Sequence, residues 1–216
     1  MERNDYSRGE ELAHCATHGL GVLASLAGIA WLLATALANG AGPWRATGGV
    51  VFGASALLLF ATSVLYHGTT SARLRPRLRL LDHSAIYVLI AGTYTPFALG
   101  VLGGAWGWTL FGLVWGLALA GIAAKLTLGF RFPLASTLLY LAMGWIGVVA
   151  ARPLMQSLTP AELTWIVAGG LVYTAGVPFY LWKKRPYAHA VWHLFVLGGV
   201  ACHFVAVLSV MAPRGG

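Results

Sequence analysis

The sequence predicts an all-α integral membrane fold: one domain over residues 1–216, a bundle of seven transmembrane helices with the N-terminus cytoplasmic and the C-terminus outside. Three observations predict it. Of 216 residues, 58% are hydrophobic and only 9% charged, and the mean hydropathy is +0.75. A soluble domain carries about 25% charged residues, so this chain cannot clothe a surface in water. The apolar residues also gather into seven runs, each close to the roughly 20 residues that cross a bilayer as a helix. Finally, the positive charges alternate between rich and poor connectors.

The runs, in order, are about 19–39, 46–67, 83–101, 106–125, 133–151, 162–182 and 188–211. The first follows a polar, mixed-charge stretch that does not read as a cleavable signal, with His14 and His18 at its inner end. The second contains Gly49 and Gly53 and ends SVLYHGTT, which carries Ser63 and His67. The third opens LLDHSAIY, with Asp82 and His83, and Pro96 inside it predicts a kink. The fourth contains Gly112 and Gly116, a small-xxx-small spacing like Gly49 and Gly53 that permits close helix approach. The fifth carries no motif. Pro178 predicts a kink in the sixth, and the seventh reads AHAVWHLFVLGGVACHF from Ala188, with His189, His193 and His203. Connectors this short leave no room for a separate soluble domain.

Charge sets the orientation. With the N-terminus inside, the cytoplasmic pieces hold eleven basic residues: Arg3, Arg8, Arg73, Arg75, Arg77, Arg79, Lys125, Arg131, Lys183, Lys184 and Arg185. The outer pieces hold three: Arg45, Arg152 and Arg214. This is the positive-inside pattern. The net charge of +8 is therefore explained by topology and anionic headgroups, and nucleic acid is not an expected partner. Cys15 and Cys202 have no CxxC neighbour and are not placed to pair with each other, so both read as small buried residues.

The polar residues converge on one leaflet. Ser63 and His67 are i and i+4 and share a helix face, as do His189 and His193. Asp82, His83, His14 and His18 fall at the same cytoplasmic depth, while His203 lies about 15 Å beyond His193 along its helix at 1.5 Å per residue. Ionisable groups inside a membrane are functional-site hypotheses by default, and paired imidazoles suit a divalent metal, zinc above all. Structural roles stand beside this reading. Asp82 reads equally as a helix N-cap, Ser63 as bonded back to its own helix, and Arg73 to Arg79 as a topology signal.

Ser63-x-x-x-His67, Asp82 and His189-x-x-x-His193, in that order, resemble the signature of the hemolysin III / progestin and adiponectin receptor (PAQR) family. EELAHCATHG at 10–19 resembles the opening of its bacterial hemolysin III branch, and the likeness spans essentially the whole chain. The resemblance implies a zinc ion held by His67, His189 and His193. Asp82 would lie near the water activated there, Ser63 near the same centre, and His203 would have no assigned ligand role. The family's first motif is usually Glu-x-x-Asn, whereas here Glu11 is followed by His14, so both are weak site candidates. No long N-terminal receptor domain precedes the bundle, which argues against a hormone receptor.

Three histidines with an open fourth position are the layout of a catalytic zinc. The expected chemistry is zinc-dependent hydrolysis of a lipid amide or ester in the cytoplasmic leaflet of the cell membrane, with Asp82 moving the proton and Ser63 steadying the developing oxyanion. The expected partners are membrane lipids, with self-association into a homo-oligomer left open. Two alternatives belong to other classes. One is a cytolytic, pore-forming protein, for which the residues offer no polar stripe or secretion signal. The other is a regulator or sensor of membrane lipid state in which zinc holds the helices together.

Overall fold

A computed structural model describes residues 6–211. Arg3 and Arg214 of the charge count lie outside the described residues. The described residues form eight α-helices: α1 Arg8–Ala38, α2 Pro43–Gly68, α3 Arg75–Phe97, α4 Gly104–Leu128, α5 Pro133–Trp145, α6 Ala151–Ser157, α7 Pro160–Leu181 and α8 Ala188–Val210. Helices α5 and α6, joined by a 3₁₀ turn at Ile146–Ala150, make one crossing, so seven segments are long and apolar enough to span a membrane. The protein is a multi-pass integral membrane protein.

Local chemistry sets where these helices start. Ser7 caps α1 in a reciprocal box with Glu10, and Thr159 does the same for α7 with Glu162. Proline stands in the first turn of α2, α3, α5 and α7, where its missing N–H costs nothing. Two starts differ from the apolar runs. Helix α1 begins at Arg8 rather than 19, and α3 at Arg75 rather than 83, because backbone hydrogen bonding carries a helix past the end of its hydrophobic stretch. Asp82 therefore lies about two turns inside α3 and is not its N-cap.

Two irregularities have identifiable causes. Beyond Pro96 the chain widens into a π-helical turn, Ala98–Leu102, closed by Gly103 N–H donating to Ala98 O at 2.9 Å. In the fifth crossing, Tyr94 reaches in from α3. Its hydroxyl donates to Gly144 O at 2.7 Å and accepts from Gly147 N–H at 3.0 Å. A side chain inserted into the helical ladder in this way explains the break at Ile146–Ala150.

Helices α1, α2, α3 and α8 pack together around a core that includes Leu32, Phe52, Phe60, Leu89 and Val207. A second core joins α3, α4 and α5 through Tyr87, Leu110, Val114 and Met143. Glycine permits the closest approach in the first group. A Cβ at Gly48 would stand 2.5 Å from Pro96 Cα, and one at Gly53 would stand 2.4 Å from Ile29 Cγ1. Gly112 and Gly116, the matching pair in α4, meet no neighbour among the described residues, so that spacing serves no helix contact. Leu23, Trp31, Leu119 and Val149 are exposed along the spans, as expected of side chains facing acyl chains.

Candidate metal centre

The start of α1, the end of α2 and the start of α8 meet at the end of the bundle that the charge count assigns to the cytoplasm. A backbone hydrogen bond helps to fix the meeting: Tyr187 N–H donates to Glu10 Oε1 at 3.0 Å, tying the residue that caps α8 to the first turn of α1. Tyr187 adopts a left-handed conformation, φ 59°, in making that turn. Five imidazoles consequently face one another. His14 and His67 rings lie 4.4 Å apart, His189 and His193 4.6 Å, and His18 stacks on His193 at 3.5 Å.

Within this cluster, one nitrogen from each of His67, His189 and His193 lies within 4.8 Å of the others. These are the three expected ligands, brought from two helices to one point. Glu11, His14 and His67 form a second group of the same kind, sharing His67. The cluster could thus hold a metal ion, and its donors are suited to one. His14 Nε2 and His67 Nε2 are buried with no hydrogen-bond partner among the described residues, a costly condition for an imidazole nitrogen unless something occupies its lone pair.

The nitrogens on the far side of these rings are held. His67 Nδ1 donates to Glu11 Oε2 at 2.6 Å, and His14 Nδ1 lies 3.4 Å from the same oxygen. The other Glu11 oxygen meets the Arg75 guanidinium. The Thr17 hydroxyl donates to Ala13 O at 2.8 Å, so its oxygen accepts from His193 Nδ1, 3.2 Å away. An imidazole that donates through Nδ1 presents Nε2 as its basic nitrogen, which is how second-layer partners set ligand tautomers. Tyr6, just before α1, stacks on His189 at 5.4 Å and edges His14 at 4.7 Å. Burial pushes its phenol well above the usual range, so it stays neutral.

The other expected residues surround the cluster. Ser63 is buried one turn before His67, and its hydroxyl has no partner among the described residues. It does not bond back to its own helix, unlike neighbouring Thr62, which donates to Leu58 O at 2.8 Å. Asp82 is buried, lies 3.3 Å from His83 Nδ1, and lines a cavity of about 480 Å³ together with His18, His189 and His193. The rest of the cavity wall is almost entirely apolar and runs between α3, α5, α7 and α8. His203 lies in that wall, away from the cluster, with Nε2 donating to Ile166 O at 3.1 Å. Cys15 and Cys202 are free thiols. Sequence reasoning ranked Glu11 and His14 low and missed Thr17, Tyr6 and the contact made by Arg75. The i, i+3, i+7 spacing of Glu11, His14 and His18 was the available signal, since it puts all three on one helix face.

The fold and site together define a class: a seven-span membrane protein with a buried histidine–carboxylate cluster at the end of an apolar cavity. The chain belongs to the family described as Haemolysin-III related, whose profile matches residues 6–204. It is 48% identical to the "Hemolysin-3 homolog" of Bacillus subtilis (strain 168), over 92% of this chain and 93% of that one. It is 44% identical to "Hemolysin-3" of Bacillus cereus, over 94% and 93%. A more distant relative is the human "Monocyte to macrophage differentiation factor", 26% identical over 92% of this chain and 83% of that protein. No solved structure matches.

Proposed function

We propose that this protein is a zinc-dependent hydrolase of lipid amide or ester bonds in the cytoplasmic leaflet. The observation that carries this reading is the juxtaposition of a three-histidine donor group, a buried carboxylate and a 480 Å³ apolar cavity that share one wall. His67, His189 and His193 hold the ion. When bound, zinc supplies a Lewis acid that lowers the pKa of water toward about 7 and polarises a carbonyl. The cavity, within the usual range of about 300–1,000 Å³ for ligand sites, takes the acyl chain and directs the polar end toward the histidines. Asp82 accepts a proton as water adds to the acyl carbon. It then delivers that proton to the departing nitrogen or oxygen, leaving a carboxylic acid and an amine or alcohol. Ser63, whose hydroxyl has no other partner among the described residues, donates to the developing oxyanion. Glu11 and Thr17 hold the His67 and His193 rings in orientation.

One observation supports a second reading. Because His67 lies on α2 and the other two ligands on α8, an ion there ties two helices together and fits a structural role in a lipid-state sensor. The test separates the two. Detergent-purified protein should contain about one zinc per chain by elemental analysis, lost in His67→Ala and in His193→Ala. Asp82→Asn should retain the metal while lipid amide or ester cleavage falls about 10²–10⁴-fold. A zinc-loaded wild type that cleaves neither class of lipid would leave only the structural reading.

A further inference from the structure

Two polar aromatic side chains stand in the cavity wall well away from the histidine cluster. His203 lies about 15 Å beyond His193 along α8 at 1.5 Å per residue. Tyr173 lies beside it on α7, the two ring centroids 5.6 Å apart, and both side chains line the cavity. Each ring is received by a glycine of the facing helix. A Cβ at Gly199 of α8 would stand 2.6 Å from Tyr173 Cζ, and one at Gly169 of α7 would collide with the His203 imidazole. Either methyl group would displace the ring it meets.

Packing explains the two rings but not their polar atoms. Tyr173 Oη and His203 Nδ1 are buried, and neither has a hydrogen-bond partner among the described residues. The Cys202 thiol lies near the phenol without a hydrogen bond to it. Other hydroxyls along the same cavity are satisfied. Thr93, Thr174, Tyr94 and Tyr140 donate to the carbonyls of Leu89, Gly170, Gly144 and His83. A phenylalanine would fill the space over Gly199 as well as a tyrosine does, and an unpaired hydroxyl in an apolar wall is costly.

We propose that Tyr173 and His203 form a second polar subsite of the cavity, which binds a hydroxyl group on the chain of its lipid ligand. The pattern of donors and acceptors selects that group. His203 Nε2 donates to Ile166 O at 3.1 Å, so in the neutral ring Nδ1 keeps its lone pair and accepts. Tyr173 supplies an O–H. A hydroxyl can accept from the phenol and donate to the imidazole, whereas a ketone oxygen only accepts and leaves Nδ1 unpaired. Depth selects the position along the chain. Gly199 and His203 stand about 9 and about 15 Å beyond His193 along α8. An extended chain advances about 1.2 Å per bond, so the hydroxyl falls about 8–12 carbons from the end held at the histidines. This placement rests on the hydrolase reading above, which puts the acyl end at the cluster, and it makes lipids with a mid-chain hydroxyl the preferred substrate class.

Free fatty acids test the subsite without turnover, because a carboxylic acid is the product of the proposed reaction. Full-length protein in detergent is titrated with octadecanoic acid and with its 12-hydroxy, 12-oxo and 2-hydroxy derivatives, and binding is read by native mass spectrometry. The 12-hydroxy acid should bind about tenfold more tightly than octadecanoic acid, and the other two derivatives should show no such gain. Tyr173→Phe, which removes a single oxygen, and His203→Leu should each abolish the preference while octadecanoic acid binds as before. Thermal unfolding identifies any variant that fails to fold, and either variant suffices. Equal binding of the plain and 12-hydroxy acids by wild type overturns the proposal. So does a preference retained in folded Tyr173→Phe and His203→Leu, or an equal gain with the 12-oxo or 2-hydroxy acid. Should the preference hold while zinc-loaded wild type cleaves neither an amide nor an ester of the 12-hydroxy acid, the subsite survives and the hydrolase reading fails. Cleavage of plain-chain lipids with no hydroxyl preference keeps the hydrolase reading and removes the subsite.

Discussion

Glu11 shows how one side chain can organise a site it does not itself dominate. Its two oxygens join His67, His14 and Arg75, and the residue stands one hydrogen bond behind a candidate ligand. Replacing it with Gln keeps the shape but offers a single acceptor oxygen in place of two. Apparent zinc affinity, measured by competition with a chromophoric chelator, should then fall about 10–100-fold, and Thr17→Val should do the same through His193. Affinities equal to wild type in both variants would show that the far-side contacts do not orient the rings. The pair His189 and His193 was legible because i and i+4 share a helix face whatever the tertiary structure. Glu11 was not, because His67 and Arg75 lie 56 and 64 positions away. No local periodicity encodes such a contact.

Helices in this chain were easier to find than to delimit. Hydropathy marks where lipid begins, while helix ends follow caps and prolines, and the two criteria part company at α1 and α3. The consequence is functional: the turns of α1 between Arg8 and the apolar run carry Glu11, His14 and His18 into the cluster. Close packing divides the glycines in the same way. A methyl group at Gly48 collides with the backbone of Pro96, which cannot rotate out of the way as a side chain can. Gly48→Ala should therefore destabilise the protein by about 1–3 kcal/mol in detergent unfolding, as overpacking does in cores. Gly112→Ala, which meets nothing among the described residues, should be neutral or mildly stabilising through higher helix propensity. Equal effects at the two positions would contradict the packing described for α2 against α3.

For the molecule as a whole, the proposed reading makes the histidine cluster both a chemical centre and a joint. Two of its candidate ligands sit on α8 and one on α2, so an ion bound there would favour the assembled bundle over any state in which these helices separate. Stabilisation by a ligand grows as RT ln(1 + [L]/Kd), about 2.7 kcal/mol at a hundredfold excess over Kd. Chelation should accordingly lower the Tm of wild-type protein and of Asp82→Asn, and leave that of His193→Ala unchanged. A chelator shift that persists in His193→Ala would place the stabilising metal elsewhere. The cavity belongs to the same level of organisation. Its walls come from α3, α5, α7 and α8, and its polar end exists only because those helices bring Asp82, His189 and His193 together.

What could be read directly from the chain was whatever depends on solvent and on short-range geometry. Composition excluded a water-facing surface, run length counted the spans, charge placement oriented them, and i, i+4 spacing picked out the paired histidines. These follow because the bilayer imposes one length and one polarity on every crossing. Only the folded bundle decided which remote side chains meet. It placed Glu11 behind His67 and Thr17 behind His193, and lodged Tyr94 in the fifth crossing. Those contacts depend on helix crossing and rotation, which are fixed by the packing of Gly48, Gly53 and their neighbours rather than by any local pattern in the sequence.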